Sequence, residues 1–254
     1  DLVLTNVSYL PLAGAALAGI PSLSLCSLNW ADLFAHFFGH EEWATSIHTE
    51  MLAAYRSAQS FLRVTPGMPM RQIDNLTHIG PIAAIGQKHN LGLGEDRAVL
   101  IALGGIAHRL PVEQWPRLPG IRWLVAADWQ CQHPDTIAFE SFGLNFTDLL
   151  CSVDAVVTKP GYGTFTEAAC NGTPVLYQRR MDWPEQDCLI EWLNRHGACE
   201  EVPAESLQTG ELAESLDTLR EATLVRQPLP SGAAEAAAKI YAAMTVSQQT
   251  LATP

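Results

Sequence analysis

The sequence predicts an α/β protein made of two doubly wound, Rossmann-like domains, with the first expected to be incomplete in this chain. Three observations support this class: a repeated strand–helix–strand pattern, strands that are apolar along their whole length, and a globular composition. The chain has 254 residues, of which 48% are apolar and 17% charged. This composition suits one large domain or two smaller ones and excludes a disordered chain.

The internal repeat is found at an offset of 153 residues. Residues 1–6 read DLVLTN and residues 154–159 read DAVVTK. Over thirty aligned positions without a gap there are ten identities. They are Asp1/Asp154, Val3/Val156, Thr5/Thr158, Tyr9/Tyr162, Ala15/Ala168, Ala16/Ala169, Gly19/Gly172, Pro21/Pro174, Leu23/Leu176 and Trp30/Trp183. Each copy is expected to be a strand, a turn and a helix that ends at glycine, with proline before the next buried strand.

The stretch Leu2–Ala31 contains no charged residue and could be mistaken for a membrane span. Pro11 and Pro21 interrupt it, and Ser22–Leu25 alternates like a strand. Strands of a parallel sheet are covered on both faces, so a buried strand–helix–strand unit has this composition. We therefore predict no transmembrane segment here.

The rest of the chain divides into alternating strands and helices. Strands are predicted at 98–103, 122–126, 155–158, 174–178 and 198–202, and helices at 185–195, 212–224 and 233–244. The expected organisation is the later part of an N-terminal domain at 1–88, a polar linker at 89–97, a C-terminal domain at 98–245 and a loose tail at 246–254.

Charge and cysteine usage exclude several function classes. The 15 Lys and Arg against 27 Asp and Glu give a net charge of −12, so no nucleic-acid partner is expected. None of the six cysteines forms a C-x-x-C pair, so we predict no structural zinc and a reducing, cytoplasmic compartment. Neither a G-x-S-x-G elbow nor a P-loop motif is present.

A glycine-bearing turn in the second copy is the strongest candidate site. Gly161 and Gly163 would let the backbone approach a ligand, and Thr164 opens the following helix. The N-terminus of that helix can bind an anion, and Lys159, Arg179 and Arg180 add local positive charge. A bound phosphate is one interpretation. A tight strand-to-helix turn that needs glycine for its own geometry is the other.

Two acidic positions lie beside this turn. Glu167 is one turn into the helix, where a carboxylate would reach past a phosphate toward ribose hydroxyls, or would only interact with the helix dipole. Glu185 and Gln186 open the next helix and would face the crevice at the carboxyl ends of the strands. They could hold sugar hydroxyls or be ordinary first-turn residues.

Residues 146–169, with the following Gly172-Thr-Pro-Val-Leu, resemble the donor-binding half of GT-B fold glycosyltransferases of the MurG and UDP-glycosyltransferase type. Leu103-Gly104-Gly105 is similar to the first strand and loop of that half. The segment KPGYGTFTEA, followed by RRMDWPEQ, is also similar to the glycosyltransferase-like half of arabinokinase-type sugar kinases.

The resemblance implies a role for each matching residue. Gly161, Tyr162, Gly163 and Thr164 would hold the donor diphosphate, together with Lys159 and Arg180. Glu167 would bind ribose, Glu185 and Gln186 would bind the donor sugar, and Gly104 and Gly105 would form a cleft loop. Lys159 stands where many members have His. The family's catalytic base comes from a loop expected to precede Asp1, so no catalytic residue is assigned.

The predicted function is therefore transfer of a sugar from a nucleotide-diphosphate donor, with UDP expected, to a small-molecule or lipid acceptor. Neither a cofactor nor a metal ion is expected. Two alternatives stay open. A binding or regulatory module would keep the pocket without catalysis, and a nucleotide-sugar 2-epimerase would convert the donor without an acceptor.

Overall fold

The computed structural model describes residues 1–104, 109–222 and 227–250, with only the backbone described for the last five of these. The chain forms two compact units. One contains Asp1–Ile82 together with the segment that starts at Pro230, and the other contains Ala83–Leu229.

The first unit has a parallel sheet with the strand order β1-β2-β3-β4. Its strands are β1 (Val3–Thr5), β2 (Ser22–Cys26), β3 (Ser60–Val64) and β4 (Leu76–Ile79), and its helices are α1 (Leu10–Leu17), α2 (Trp30–Phe38) and α3 (Ala44–Ser57). Adjacent residues of β3 such as Phe61 and Leu62 are both fully buried. Burial of both sheet faces explains why β3 has consecutive apolar residues instead of a strict alternation.

The second unit has a parallel sheet with the strand order β10-β9-β8-β5-β6-β7. Its strands are β5 (Arg97–Ile101), β6 (Ile121–Val125), β7 (Thr136–Ala138), β8 (Ala155–Thr158), β9 (Val175–Tyr177) and β10 (Cys199–Glu201). Its helices are α4 (Phe146–Ser152), α5 (Tyr162–Asn171), α6 (Gln186–His196), α7 (Ala204–Thr209) and α8 (Ala213–Glu221). The last helix of the chain, α9 (Gly232–Thr250), belongs to the first unit.

Helices cover both faces of the second sheet. Val99 and Ile101 of β5 pack in a core with residues of α7 and α8, such as Leu207 and Leu216. Ala98 and Leu100, which point to the opposite face, pack in a second core formed with α4, α5 and α6. This arrangement is the doubly wound architecture that the sequence predicts.

The internal repeat is reproduced in three dimensions. β1 pairs with β2 so that Val3 lies opposite Ser22, and β8 pairs with β9 so that Val156 lies opposite Val175. Both pairs are related by the same 153-residue offset, and each copy is a parallel β–α–β unit. The stretch without charged residues thus forms β1, α1 and β2, of which β2 is the most buried. In the described part of the chain no helix is long and apolar enough to span a membrane.

The boundaries of the two units differ from the domain boundaries predicted from the sequence, which were 1–88, a linker at 89–97, and 98–245. Residues 83–97 lie in the second unit because their backbone bonds to α4 and α5: the Gln87 N–H donates to Asp148 at 2.7 Å, and the His89 N–H to Ser152 at 2.8 Å. Helix α9, which includes residues 246–250 of the expected tail, lies in the first unit, where the Gly80 N–H donates to Glu235 at 3.1 Å. These are contacts between distant parts of the chain, which a composition change cannot reveal.

Candidate functional site

The candidate residues collect at one edge of the second sheet. Because β5, β8 and β9 are parallel neighbours, their carboxyl ends lie side by side. Gly104 follows β5, Lys159 follows β8, and Arg180 follows β9. The predicted crevice of this domain is therefore the place where these side chains meet.

The turn between β8 and α5 is open to a ligand. Gly161 caps α5 with an extended backbone, at φ −158°, which any residue can adopt. A Cβ atom on Gly163 would meet nothing within 4 Å, and one on Gly161 would meet only the Lys159 carbonyl, at 3.8 Å. These glycines therefore leave space above the first turn of α5, where helix N–H groups are available to an anion.

A cavity of about 520 Å³ lies against this turn. Thr164 of α5, Gly104 and three aromatic side chains are among the residues that line it. The complete lining is Ile101, Ala102, Leu103, Gly104, Arg109, Ala126, Asp128, Trp129, Phe139, Phe146 and Thr164. A cavity of this size, with an apolar wall and a helix N-terminus, suits a nucleotide-sized ligand.

A second cavity, of about 230 Å³, shares Leu103 with the first. Lys159, Arg179 and Arg180 contribute to its lining, together with Thr158, Gln178 and Met181. The two arginines differ. Arg179 is paired with Asp187 at 2.6 Å and with Glu201 at 3.0 Å. The Arg180 guanidinium instead stacks on the Trp183 ring, 4.2 Å from its centroid.

The cationic groups of Lys159 and Arg180 influence each other. Partial burial lowers the pKa of the Lys159 ammonium below its usual value, and the nearby Arg180 charge lowers it further. Holding two cations together is electrostatically unfavourable, and an anion bound between them would reverse this effect. The predicted positive charge of the site therefore comes from Lys159 and Arg180, while that of Arg179 is balanced by two carboxylates.

Glu167 does not line either of these two cavities. Its carboxylate accepts a hydrogen bond from the Ala84 N–H, in the extended segment that precedes β5. Burial is the larger influence and raises the pKa of Glu167 above its usual value. The structure thus places this side chain against Ala84 rather than beside the cavity where ribose contact is expected.

Replacing Glu167 with Gln is expected to raise the melting temperature at pH 8 by roughly 2 °C. Because the pKa is raised in the folded chain, folding favours the protonated form, and stability falls as the pH rises through the interval between the ordinary and the raised value. The amide removes this penalty and keeps an acceptor for the Ala84 N–H.

Melting temperatures of the variant and the wild type should converge near pH 4, where Glu167 is protonated. A variant that is less stable than the wild type at pH 8 would contradict this account, since the carboxylate would then be a net stabilising group.

The side chains of Glu185 and Gln186 form hydrogen bonds to nearby residues of the same loop. The Gln186 Oε1 atom accepts from the Arg180 N–H at 2.9 Å, and its Nε2 donates to the Arg180 carbonyl at 3.0 Å. The Glu185 carboxylate accepts from the Trp183 indole N–H at 3.2 Å. Both side chains are buried. In this structure the pair organises the loop that carries Arg180, in contrast to the expected contact with a donor sugar.

Two other predicted residues need separate mention. Tyr162 is partly buried and packs against the core formed with α4, α5 and α6. Gly105 lies outside the described residues.

The aromatic wall of the larger cavity was missed by sequence reasoning. Trp129 follows β6, Phe139 follows β7, and Phe146 begins α4. Arg109 and Asp128 add one charge of each sign. Of the three aromatic residues, only Trp129 follows a strand that the sequence predicts, at 122–126; β7 and α4, which position Phe139 and Phe146, were not predicted.

No protein-family model matches the chain. Over 182 residues it is 28% identical to a UDP-N-acetylglucosamine–N-acetylmuramyl-(pentapeptide) pyrophosphoryl-undecaprenol N-acetylglucosamine transferase of Synechococcus elongatus. The match covers 63% of this chain and 50% of that protein. A second Synechococcus protein of the same name gives the same identity. The chain thus spans about half the length of the curated relatives it matches.

Solved structures show where the fold recurs. The chain is similar to the glycotransferase of kitacinnamycin, with a TM-score of 0.62 and 18% identity over 87% of this chain and 68% of the other. The chain has the GT-B fold of glycosyltransferases. The spinosyn rhamnosyltransferase SpnG gives a TM-score of 0.57 and 18% identity, with 96% of this chain and 69% of the other covered. SnogD from Streptomyces nogalater gives a TM-score of 0.52 and 18% identity, with 95% of this chain and 72% of the other covered.

The GT-B fold confirms the fold class and the family resemblance predicted from the turn between β8 and α5. At these identities, the solved structures establish the fold alone. The likeness to arabinokinase-type proteins stays a prediction.

Proposed function

We propose that the second unit binds a nucleoside-diphosphate sugar along the carboxyl edge of its sheet, and that the protein transfers the sugar to an acceptor. The observation that carries this proposal is the pair of adjoining cavities. Thr164 and Gly104 line the larger one, Lys159 and Arg180 line the smaller one, and both include Leu103. The relatives support it, because the curated ones are named as UDP-sugar transferases and one SpnG structure contains thymidine diphosphate.

The geometry suggests how the ligand would be arranged. The diphosphate would lie over the N-terminus of α5, beside Lys159 and Arg180, and the base would lie toward Phe139 and Phe146. Aromatic faces suit a nucleobase, and helix N–H groups and cations suit phosphate. Glu167 would turn from Ala84 to reach the ribose.

These residues would also act on the reaction. When the bond between sugar and diphosphate breaks, negative charge grows on the leaving phosphate. A helix N-terminus and two fixed cations stabilise that charge without reorganisation, which lowers the barrier. We propose a metal-independent transfer on this basis. The proposed acceptor is a small molecule or a lipid, as in the names of the relatives and solved proteins.

Thermal unfolding tests the binding half of the proposal. The panel comprises UDP, dTDP, GDP, ADP and their common sugar conjugates, with the parent nucleosides as controls that lack the diphosphate. A ligand at a hundred times its Kd should stabilise the fold by about 2.7 kcal/mol, or roughly 5–10 °C in Tm. A shift confined to one base supports the proposal and identifies the donor class, whereas no shift with any nucleotide would contradict it.

Product analysis of the donor tests the reaction class. Transfer should release the nucleoside diphosphate only when an acceptor is added. Conversion of the donor to its sugar epimer without an acceptor would instead identify a 2-epimerase.

A further inference from the structure

The loop between β9 and α6 contains an unusual pair of hydrogen bonds. The Gln186 amide accepts from the N–H of Arg180 and donates to the carbonyl of the same residue, at 2.9 and 3.0 Å. This closes a ring between one side chain and one peptide backbone, six residues apart in the chain. Gln186 is only 9% exposed, so breaking these bonds would leave buried polar groups without partners.

The same loop fixes the Arg180 guanidinium. Stacking on Trp183 at 4.2 Å uses the flat face of the guanidinium and leaves its N–H edge able to donate to an anion. The Trp183 ring is in turn held by Glu185, through the 3.2 Å bond to its indole nitrogen. The Arg180 residue is thus held at two points: Gln186 bonds to its backbone, and Trp183 packs against its guanidinium.

Arg180 differs from the adjacent Arg179 in the groups that surround its charge. The Arg179 guanidinium donates to two carboxylates, on Asp187 and Glu201. Within the part of the chain that the structure describes, Arg180 makes no ion pair and lies near the Lys159 ammonium. In a protein of net charge −12, a guanidinium that lies beside another cation and has no ion pair among the described residues points to an anionic ligand.

We propose that Gln186 is a positioning residue, which acts through Arg180 on the diphosphate of the donor. This rests on the proposed nucleotide-sugar site and assigns one of its residues a different role from the expected one. The Arg180 backbone occupies one acceptor position and one donor of the Gln186 amide. One lone pair of its Oε1 atom and one hydrogen of its Nε2 atom are left for other partners.

The test compares Gln186→Met with Arg180→Gln and with Arg195→Gln as the control, since Arg195 is an exposed residue of α6 that pairs with Glu191 and lines neither cavity. Methionine has nearly the same volume as glutamine, so the variant removes the two hydrogen bonds without opening a cavity. Affinities are measured calorimetrically for UDP, for UDP-N-acetylglucosamine and for uridine. We expect Gln186→Met and Arg180→Gln each to weaken UDP binding about tenfold, because a charge-assisted hydrogen bond is lost or misplaced. Uridine affinity should be unchanged in both variants, and UDP affinity should be unchanged in Arg195→Gln.

A double-mutant cycle separates positioning from direct contact. If Gln186 acts through Arg180, adding Gln186→Met to Arg180→Gln should cause no further loss of UDP affinity. If Gln186 contacts the sugar, Gln186→Met should weaken UDP-N-acetylglucosamine binding but leave UDP binding unchanged, which would overturn the proposal. Additive losses in the cycle would overturn it as well.

The outcome is informative even if Gln186→Met does not fold. Trp183→Leu removes the stacking partner and the indole N–H that donates to Glu185, but keeps both Gln186 hydrogen bonds. It is expected to weaken UDP binding in the same way, with uridine binding unaffected. An unchanged UDP affinity in that variant would overturn the proposal. Failure of the wild type to bind any nucleotide of the panel would instead overturn the proposed function.

Discussion

Gly163→Asp is expected to abolish the stabilisation by nucleoside diphosphates while the chain stays folded. The new side chain has room, since a Cβ atom at Gly163 would meet nothing within 4 Å. An acidic residue in the first turn also suits the helix dipole. The carboxylate would lie where the diphosphate is proposed to bind, and repulsion between like charges should weaken binding at least about a hundredfold.

Gly14→Asp is the matched control for this substitution. Gly14 is an exposed residue of α1, in the first unit, and a Cβ atom there also has open space around it. Thermal shifts with UDP, and with any other nucleotide that stabilises the wild type, should be retained in Gly14→Asp and lost in Gly163→Asp. Equal shifts in both variants would place the diphosphate elsewhere.

Gly210→Ala is expected to destabilise the second unit by about 3 kcal/mol or more. Gly210 ends α7 with φ +77°, and an added Cβ atom would lie 2.4 Å from Cγ and 2.6 Å from Cβ of Trp115. These atoms cannot move easily, because Trp115 is 3% exposed, contacts the Trp123 ring and donates its indole N–H to Leu207 at 3.2 Å.

Gly120→Ala distinguishes the steric clash from backbone strain. Gly120 has nearly the same φ, +75°, but an added Cβ atom would meet nothing within 4 Å. Its substitution should therefore cost only the strain of a left-handed alanine, about 1 kcal/mol. Urea denaturation of the two variants measures the difference, and equal losses of stability would contradict the role of Trp115.

Local patterns predicted most of the secondary structure. The strand predicted at 155–158 has those bounds in the structure, and the helix predicted at 185–195 forms as Gln186–His196. The ends were less accurate. The strand predicted at 98–103 is Arg97–Ile101, because residues 102–104 already belong to the turn that lines the cavities.

For the candidate site, the sequence predicted that the glycine turn and the strand ends lie at one edge of a sheet, and the structure places them there. It did not distinguish Arg180 from Arg179, although the two are adjacent. That difference depends on Asp187 and Glu201, which reach Arg179 only after α6 and β10 have packed beside β9. The partners of Glu167 and Gln186 could not be inferred for the same reason.

What the sequence by itself determined is the repeating β–α–β unit. Its strands, its glycine helix ends and the 153-residue offset depend on local steric and hydrophobic preferences, and both copies adopt the same strand register. Only the tertiary structure decided that α9 belongs to the first unit, that Trp129, Phe139 and Phe146 line one cavity, and that Gln186 holds the Arg180 backbone. These are contacts between distant segments, whose strength depends on distance and burial after the chain has folded.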